Sequence, residues 1–132
     1  MYKNILVPVA LDHGQSVEDA VKVAKLLCDE GGKITLLSVV EPIPGYVASY
    51  LPEGQLDKNR KEVEASLKVD AGDLDAEVIL GHPGSAIVDH AKDKEVDLIV
   101  IASHKPGLQD FFLGSTAARV VRYSQCAVHV LR

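Results

Sequence analysis

The sequence predicts a doubly wound α/β domain: a five-stranded parallel sheet with helices on both faces, three layers in all. Three observations carry this. Five short runs rich in β-branched residues, at 3–10, 33–40, 76–80, 97–103 and 126–131, punctuate the chain, and most are apolar at consecutive positions rather than alternating. That is the pattern of strands covered on both faces. Between the runs lie helical patterns, and the resulting order βαβαβαβαβ implies parallel neighbours joined by right-handed crossovers. The 132 residues are one domain's worth, 1–132, with enough chain for a single sizeable core.

The first strand, 3–10, contains the apolar run "ILVPVA". The helix after it spans 16–28, with Val17, Ala20, Val21, Ala24, Leu27 and Cys28 on one face, Ser16 and Asp19 spaced as an N-terminal cap, and Gly31-Gly32 as the stop. Strand 33–40 leads into a long connection, 41–54, without obvious regular structure. A highly charged helix with a wide solvated face follows over 55–69. After strand 76–80, a helix over 84–95 turns Ile87, Val88 and Ala91 inward. After strand 97–103, a helix over 114–123 does the same with Ala117, Val120 and Val121.

The most economical arrangement of these strands is the flavodoxin-like order 3-2-1-4-5. Strands 1 and 4 are then neighbours whose following helices lie on opposite faces, so a crevice opens beyond their C-terminal ends. The loops after Ala10 and Ala102 meet there.

Composition narrows the function. The formal charge is −5, from 14 Lys plus Arg against 19 Asp plus Glu, and the basic residues are scattered. Nucleic-acid binding, which rests on neutralising phosphates with a basic surface, is disfavoured. The N-terminal apolar run carries Pro8 and soon meets Asp12 and His13, unlike a signal peptide or a membrane span, so a cytoplasmic protein is expected. Cys28 and Cys126 have no metal-ligand spacing and read as buried small hydrophobes in a reducing compartment.

The segment after strand 4 holds Ser103, His104, Lys105, Pro106 and Gly107, then Phe111-Phe112-Leu113, then Gly114-Ser115-Thr116 opening a helix. A helix N-terminus offers unpaired N–H groups and partial positive charge, glycine lets an anion approach the backbone, and the hydroxyls add donors. Phosphate is the natural guest; the alternative is a turn at Gly114 with Ser115 or Thr116 as a simple cap. In the connection 41–54, Ile43, Tyr46, Val47, Tyr50 and Leu51 suit a lid over a flat ring, a contact with a partner subunit, or a cover for the sheet edge. P-loop and dinucleotide fingerprints are missing. His13, His82 and His104 each follow a strand end, where a metal or a general base is conceivable. Neither Ser103 nor Ser115 lies in a G-x-S-x-G elbow and no triad spacing appears, so no catalytic residue and no metal ligand is assigned.

Five segments, "KNILVPV", "ITLLSVV", "EVILGHPGSAIVDHA", "DLIVIASHKPG" and "LGSTAARVVRYSQCAVHVLR", together resemble the universal stress protein family over the whole chain. The resemblance is to its nucleotide-binding branch, which carries a Gly-x-x-Gly loop, nine residues, then Gly-[Ser/Thr]. Here Ala102 and Lys105 stand at the two loop glycines, and eight residues separate Lys105 from Gly114. The "A-S-H-[Arg/Lys]-P" loop followed by "L-G-S" is similar to a subgroup that binds ATP.

The resemblance implies an adenine nucleotide alpha-hydrolase-like fold with ATP, or AMP or ADP, as ligand, and magnesium as its companion. It implies that Ser103, His104 and Lys105 line ribose and phosphates, that Gly114, Ser115 and Thr116 hold phosphate, that Pro8, Val9 and the Val39 backbone border the adenine, and that Gly81 lies nearby. The family usually has an aspartate where this chain has Ala10; either Asp12 substitutes from the loop or one polar contact is lost. The family's habit of dimerising matches the apolar edge strand 126–131. The expected function is an ATP-binding regulatory protein of the stress response, a homodimer acting through protein partners rather than by turnover. The alternatives are a stress protein without nucleotide, and a slow ATPase or phosphotransferase using Lys105 with Asp12 or His104.

Overall fold

The computed structural model describes residues 1–10, 14–103 and 114–132, the side chains of 14–16 excepted. Its elements are β1 (Tyr2–Pro8), α1 (Gly14–Leu27), β2 (Cys28–Val40), α2 (Gly45–Ala48), α3 (Gln55–Ala71), β3 (Asp75–Leu80), α4 (Pro83–Asp93), β4 (Leu98–Ala102), α5 (Ser115–Tyr123) and β5 (Ala127–Leu131). The five strands form one sheet in the order β3-β2-β1-β4-β5, and every pairing is parallel. The expected doubly wound topology is the one observed.

The consecutive apolar positions of the central strands serve two cores because alternate side chains point to opposite faces. On one face Ile5, Val7, Leu36, Leu98 and Val100 pack against Val17, Ala20 and Ala24 of α1 and Leu67 and Ala71 of α3. On the other, Leu6, Leu37, Ile99 and Ile101 pack against Ile87 and Ala91 of α4 and Ala117 and Val120 of α5. At the N-terminal end of the sheet the Asp97 carboxylate accepts the N–H groups of Lys3 (2.8 Å) and Asn4 (3.0 Å), while Asp97 N–H donates to the Asn4 carbonyl at 2.9 Å. This clasp holds β4 in register beside β1.

Several local expectations are corrected. Helix α1 starts at Gly14, so Ser16 lies in its first turn rather than at its cap, and Cys28 opens β2 rather than ending the helix. Gly31-Gly32 is no helix stop. It sits inside β2 where the pairing jumps from Tyr2↔Cys28 to Asn4↔Lys33, and Gly31 takes φ 80° there. A Cβ on Gly32 would stand 3.1 Å from the Lys3 carbonyl oxygen, so the irregular pairing needs its bare backbone. The connection 41–54 contains the single-turn helix α2. Val121 is 44 % exposed: α5 buries only the Ala117 and Val120 stripe. Both cysteines are half-buried free thiols rather than fully buried. Among the described residues no helix is long and apolar enough to cross a membrane.

Candidate functional site

Beyond the C-terminal ends of β1 and β4 lies a cavity of about 610 Å³, within the range of roughly 300–1,000 Å³ typical of small-molecule sites. Its position follows from the strand order, since α1 leaves β1 toward one face and α5 follows β4 on the other. β1 and its continuation contribute Pro8, Val9 and Ala10; β2 contributes Val39; the end of β4 contributes Ala102 and Ser103; and the start of α5 contributes Gly114, Ser115 and Thr116. Nine sequence-predicted site residues are thus brought to one wall-lined space. Asp12, His104 and Lys105 lie outside the described residues, as do His13 and the Phe111-Phe112-Leu113 patch.

Gly81 is the exception among the described candidates, for it does not line the cavity. Its N–H donates to the Val40 carbonyl at 3.0 Å and its φ is 154°, a conformation in which an added Cβ would stand 3.1 Å from Ala86 Cβ. Gly81 therefore makes the turn that delivers Pro83, at the start of α4, to the cavity. His82 is exposed and lies outside the lining, and among the described residues no three His, Cys, Asp or Glu side chains gather in a metal-binding group.

Two hydrogen bonds fix the corner where β4 meets α5. Ser103 N–H donates to the Leu131 carbonyl at 2.8 Å, and the Ser103 carbonyl accepts the Gly114 N–H. The end of β4 and the start of α5 are thereby clamped together around Ser103, which is 2 % exposed. Gly114 is the N-cap residue and makes no side-chain cap, so neither Ser115 nor Thr116 serves as one. The first intrahelical bond runs from Ala118 N–H to the Gly114 carbonyl at 2.9 Å. The N–H groups of Ser115, Thr116 and Ala117 thus belong to the turn that helix geometry leaves without internal acceptors. The first turn of α5 carries no acidic residue and Arg122 stands in its last turn, so no side chain of the helix itself offsets the positive end of its dipole.

The rest of the lining is mainly apolar, and among the described lining residues none is charged. An anion at the α5 corner and a flat apolar body along the remaining walls is the chemistry this space accommodates, and a nucleotide has both parts. The residues that sequence reasoning missed are chiefly those walls: Val17 and Ala20 of α1, Val63 of α3, Leu37 and Ser38 of β2, and Ile87 of α4. One signal for α3 was present, since Val63, Leu67 and Ala71 recur every fourth residue on an otherwise charged helix.

The family model of the universal stress protein family matches residues 1–132. Among individual relatives, the universal stress protein in the QAH/OAS sulfhydrylase 3'region of Thermus aquaticus is 31% identical over 140 residues, and universal stress protein G of Salmonella typhimurium 28% over 145, each covering 100% of both chains. Among solved structures, hypothetical protein MJ0577 superposes with a TM-score of 0.80 at 26% identity, covering 99% of this chain and 96% of the other. Two more distant universal stress proteins share the fold at a TM-score of 0.61. One, in complex with cAMP, is 22% identical, covering 99% of this chain and 97% of its own. The other, from Archaeoglobus fulgidus in complex with dAMP, is 19% identical, covering 99% and 98%.

Proposed function

The chain belongs to the universal stress protein family, and from that premise we propose that it binds an adenine nucleotide, ATP foremost, in the cavity at the β1/β4 switch point. The observation that carries this reading is the pairing of a cavity whose described lining is uncharged and mainly apolar with the clamped N-terminus of α5. Complexes of family members with cAMP and dAMP support an adenine monophosphate unit as the common part of the ligand.

In this reading Val9 and Val39 flank the base, Ser103 lies beside the ribose, and the N–H groups and hydroxyls of Ser115 and Thr116 take phosphate oxygens, with Gly114 allowing close approach. His104 and Lys105 would complete the phosphate side, and magnesium would bind through the phosphates. Ala10 offers no carboxylate to the nucleoside, which costs one hydrogen bond, about 0.5–1.5 kcal/mol, unless Asp12 supplies it. The protein would act in the cytoplasm as a regulatory homodimer through partners rather than by turnover. Strand β5, an edge of the sheet with Val128, Val130 and Leu131 half-buried, would pair with its twin.

Acid extraction of purified protein followed by chromatography of the released material should yield adenine nucleotide. Titration of the emptied protein with ATP should show binding that Gly114→Asp abolishes, because a carboxylate then occupies the phosphate position. Wild-type protein with neither bound nucleotide nor measurable affinity for ATP would refute the reading.

A further inference from the structure

The cavity wall farthest from α5 is apolar except at Ser38. Val9, Val17, Ala20, Val40 and Val63 supply the remainder. On β2 the neighbours Leu37 and Val39 pack into the α4/α5 core, while Leu36 packs into the α1/α3 core. Alternation along the strand therefore turns Ser38 toward the α1/α3 side, where it lines the cavity while being only 5 % exposed. None of the side-chain hydrogen bonds found among the described residues involves its hydroxyl. Among the described residues the one fully buried side-chain oxygen without a partner is Ser124 Oγ, so the Ser38 oxygen is not sealed but keeps open surface toward the cavity it lines, and nothing else in the run from Leu36 to Val40 is polar. The hydroxyl is thus left available to the space in which a ligand would lie.

Its distance from the phosphate corner identifies the part of the ligand it meets. β1 lies between β2 and β4, so Ser38 stands two strand spacings, about 10 Å, across the sheet from the strand that leads to α5. A nucleotide with its phosphates on the first turn of α5 spans that distance through its ribose and reaches β2 with its base.

Resting on the nucleotide reading above, we propose that Ser38 is a specificity-determining residue whose hydroxyl hydrogen-bonds the polar edge of the base. A hydroxyl both donates and accepts, so it pairs with a ring nitrogen or an exocyclic amine. A purine extends far enough across the sheet to make the bond, and the shorter pyrimidine ring does not, so the site favours ATP over UTP.

The test is calorimetric titration of wild type and Ser38→Ala with ATP and with UTP, together with thermal melts of both proteins without ligand. The expected result is a three- to tenfold loss of ATP affinity in Ser38→Ala, less than a twofold change for UTP, and a melting temperature that is unchanged or raised. Equal losses for both nucleotides, or no loss for either, would overturn the role of Ser38 and leave the nucleotide reading standing. A melting temperature lowered by several degrees would also overturn it, because the hydroxyl would then be holding the fold. A wild type with no affinity for ATP removes the nucleotide reading, and Ser38's role falls with it.

Discussion

Gly84, in the first turn of α4, is buried against α5, and replacing it with alanine should damage both stability and ligand binding through one contact. A Cβ there would stand 2.6 Å from Arg119 Cδ, 3.1 Å from Cγ and 3.0 Å from Cβ. The outer stem of Arg119 can swing aside, at the expense of its guanidinium's position 5.2 Å from the Tyr123 ring centroid. Its Cβ moves only if α5 moves. Crowding of this kind costs about 1–3 kcal/mol, and exchanging glycine for alanine returns about 0.4–1 kcal/mol through the unfolded chain. The net expectation is a loss of about 1 kcal/mol, a fall in Tm of roughly 4 °C for a chain of this size. Arg119→Ala alone should lose about 0.5–1 kcal/mol of stem packing and cation–π attraction, and on that background Gly84→Ala should cost less than about 0.5 kcal/mol. Urea unfolding of the four proteins, followed by circular dichroism, gives the coupling from a double-mutant cycle. ATP titration of the same proteins should show affinity falling in Gly84→Ala and recovering in the double variant, since displaced α5 carries the Gly114–Thr116 corner. A stabilised Gly84→Ala, or additive effects in the cycle, would refute the contact as the cause.

Three other perturbations test separate parts of the molecule. Asp97→Ala removes the acceptor for two β1 N–H groups and should cost about 2 kcal/mol in urea unfolding, with Asp97→Asn losing less because its amide oxygen still accepts. Val63→Trp places an indole at the α3 wall of the cavity; ATP affinity should drop at least about tenfold in calorimetry while the far-ultraviolet spectrum stays native, and full binding would exclude α3 from the site. Burial pushes the Cys126 thiol pKa upward, the Asp97 charge adds to the rise, and the thiol's hydrogen bond to its own backbone opposes it. In a Cys28→Ser protein, alkylation of Cys126 by iodoacetamide at pH 8 should therefore be slower than that of free cysteine, and faster again in Asp97→Asn; equal rates for protein and free cysteine would contradict the burial.

The sheet was legible in the chain because parallel strands covered on both faces require apolar residues at consecutive positions, and "ILV" of β1 and "LIVI" of β4 suit such doubly covered strands. What escaped was decided by contacts distant in sequence. "CDEGG" is polar and glycine-rich, and it is extended because Tyr2 pairs with Cys28 across an irregular register, which no local signal announces. Val121 satisfies the helical spacing as well as Val120 does, yet α5 packs along a narrower stripe than its period permits. The site divides in the same way. Its polar corner was readable because a switch point and a Gly-Ser-Thr helix start are properties of strand order and local chemistry. Val17, Ala20 and Val63 were indistinguishable from ordinary core positions, since only the packed helices show that the space between them continues the crevice.

The charge balance shows why such a site can suit a polyanion in an acidic protein. A formal charge of −5 gives a repulsive field at long range, but physiological salt screens charges beyond about 8 Å. At the cavity the balance is different, for the described lining residues carry no charge and the α5 N-terminus presents the positive end of a dipole. Ala10 has two opposed consequences there. In the proposed complex it would withdraw a polar partner from the nucleoside, and it would also keep a carboxylate away from the phosphates. Specificity then has to come from groups that are neutral and fixed in place, namely backbone N–H groups and hydroxyls. Ser38 and Ser103, both buried on strands or clamped at a strand end, are the two serines positioned to supply it.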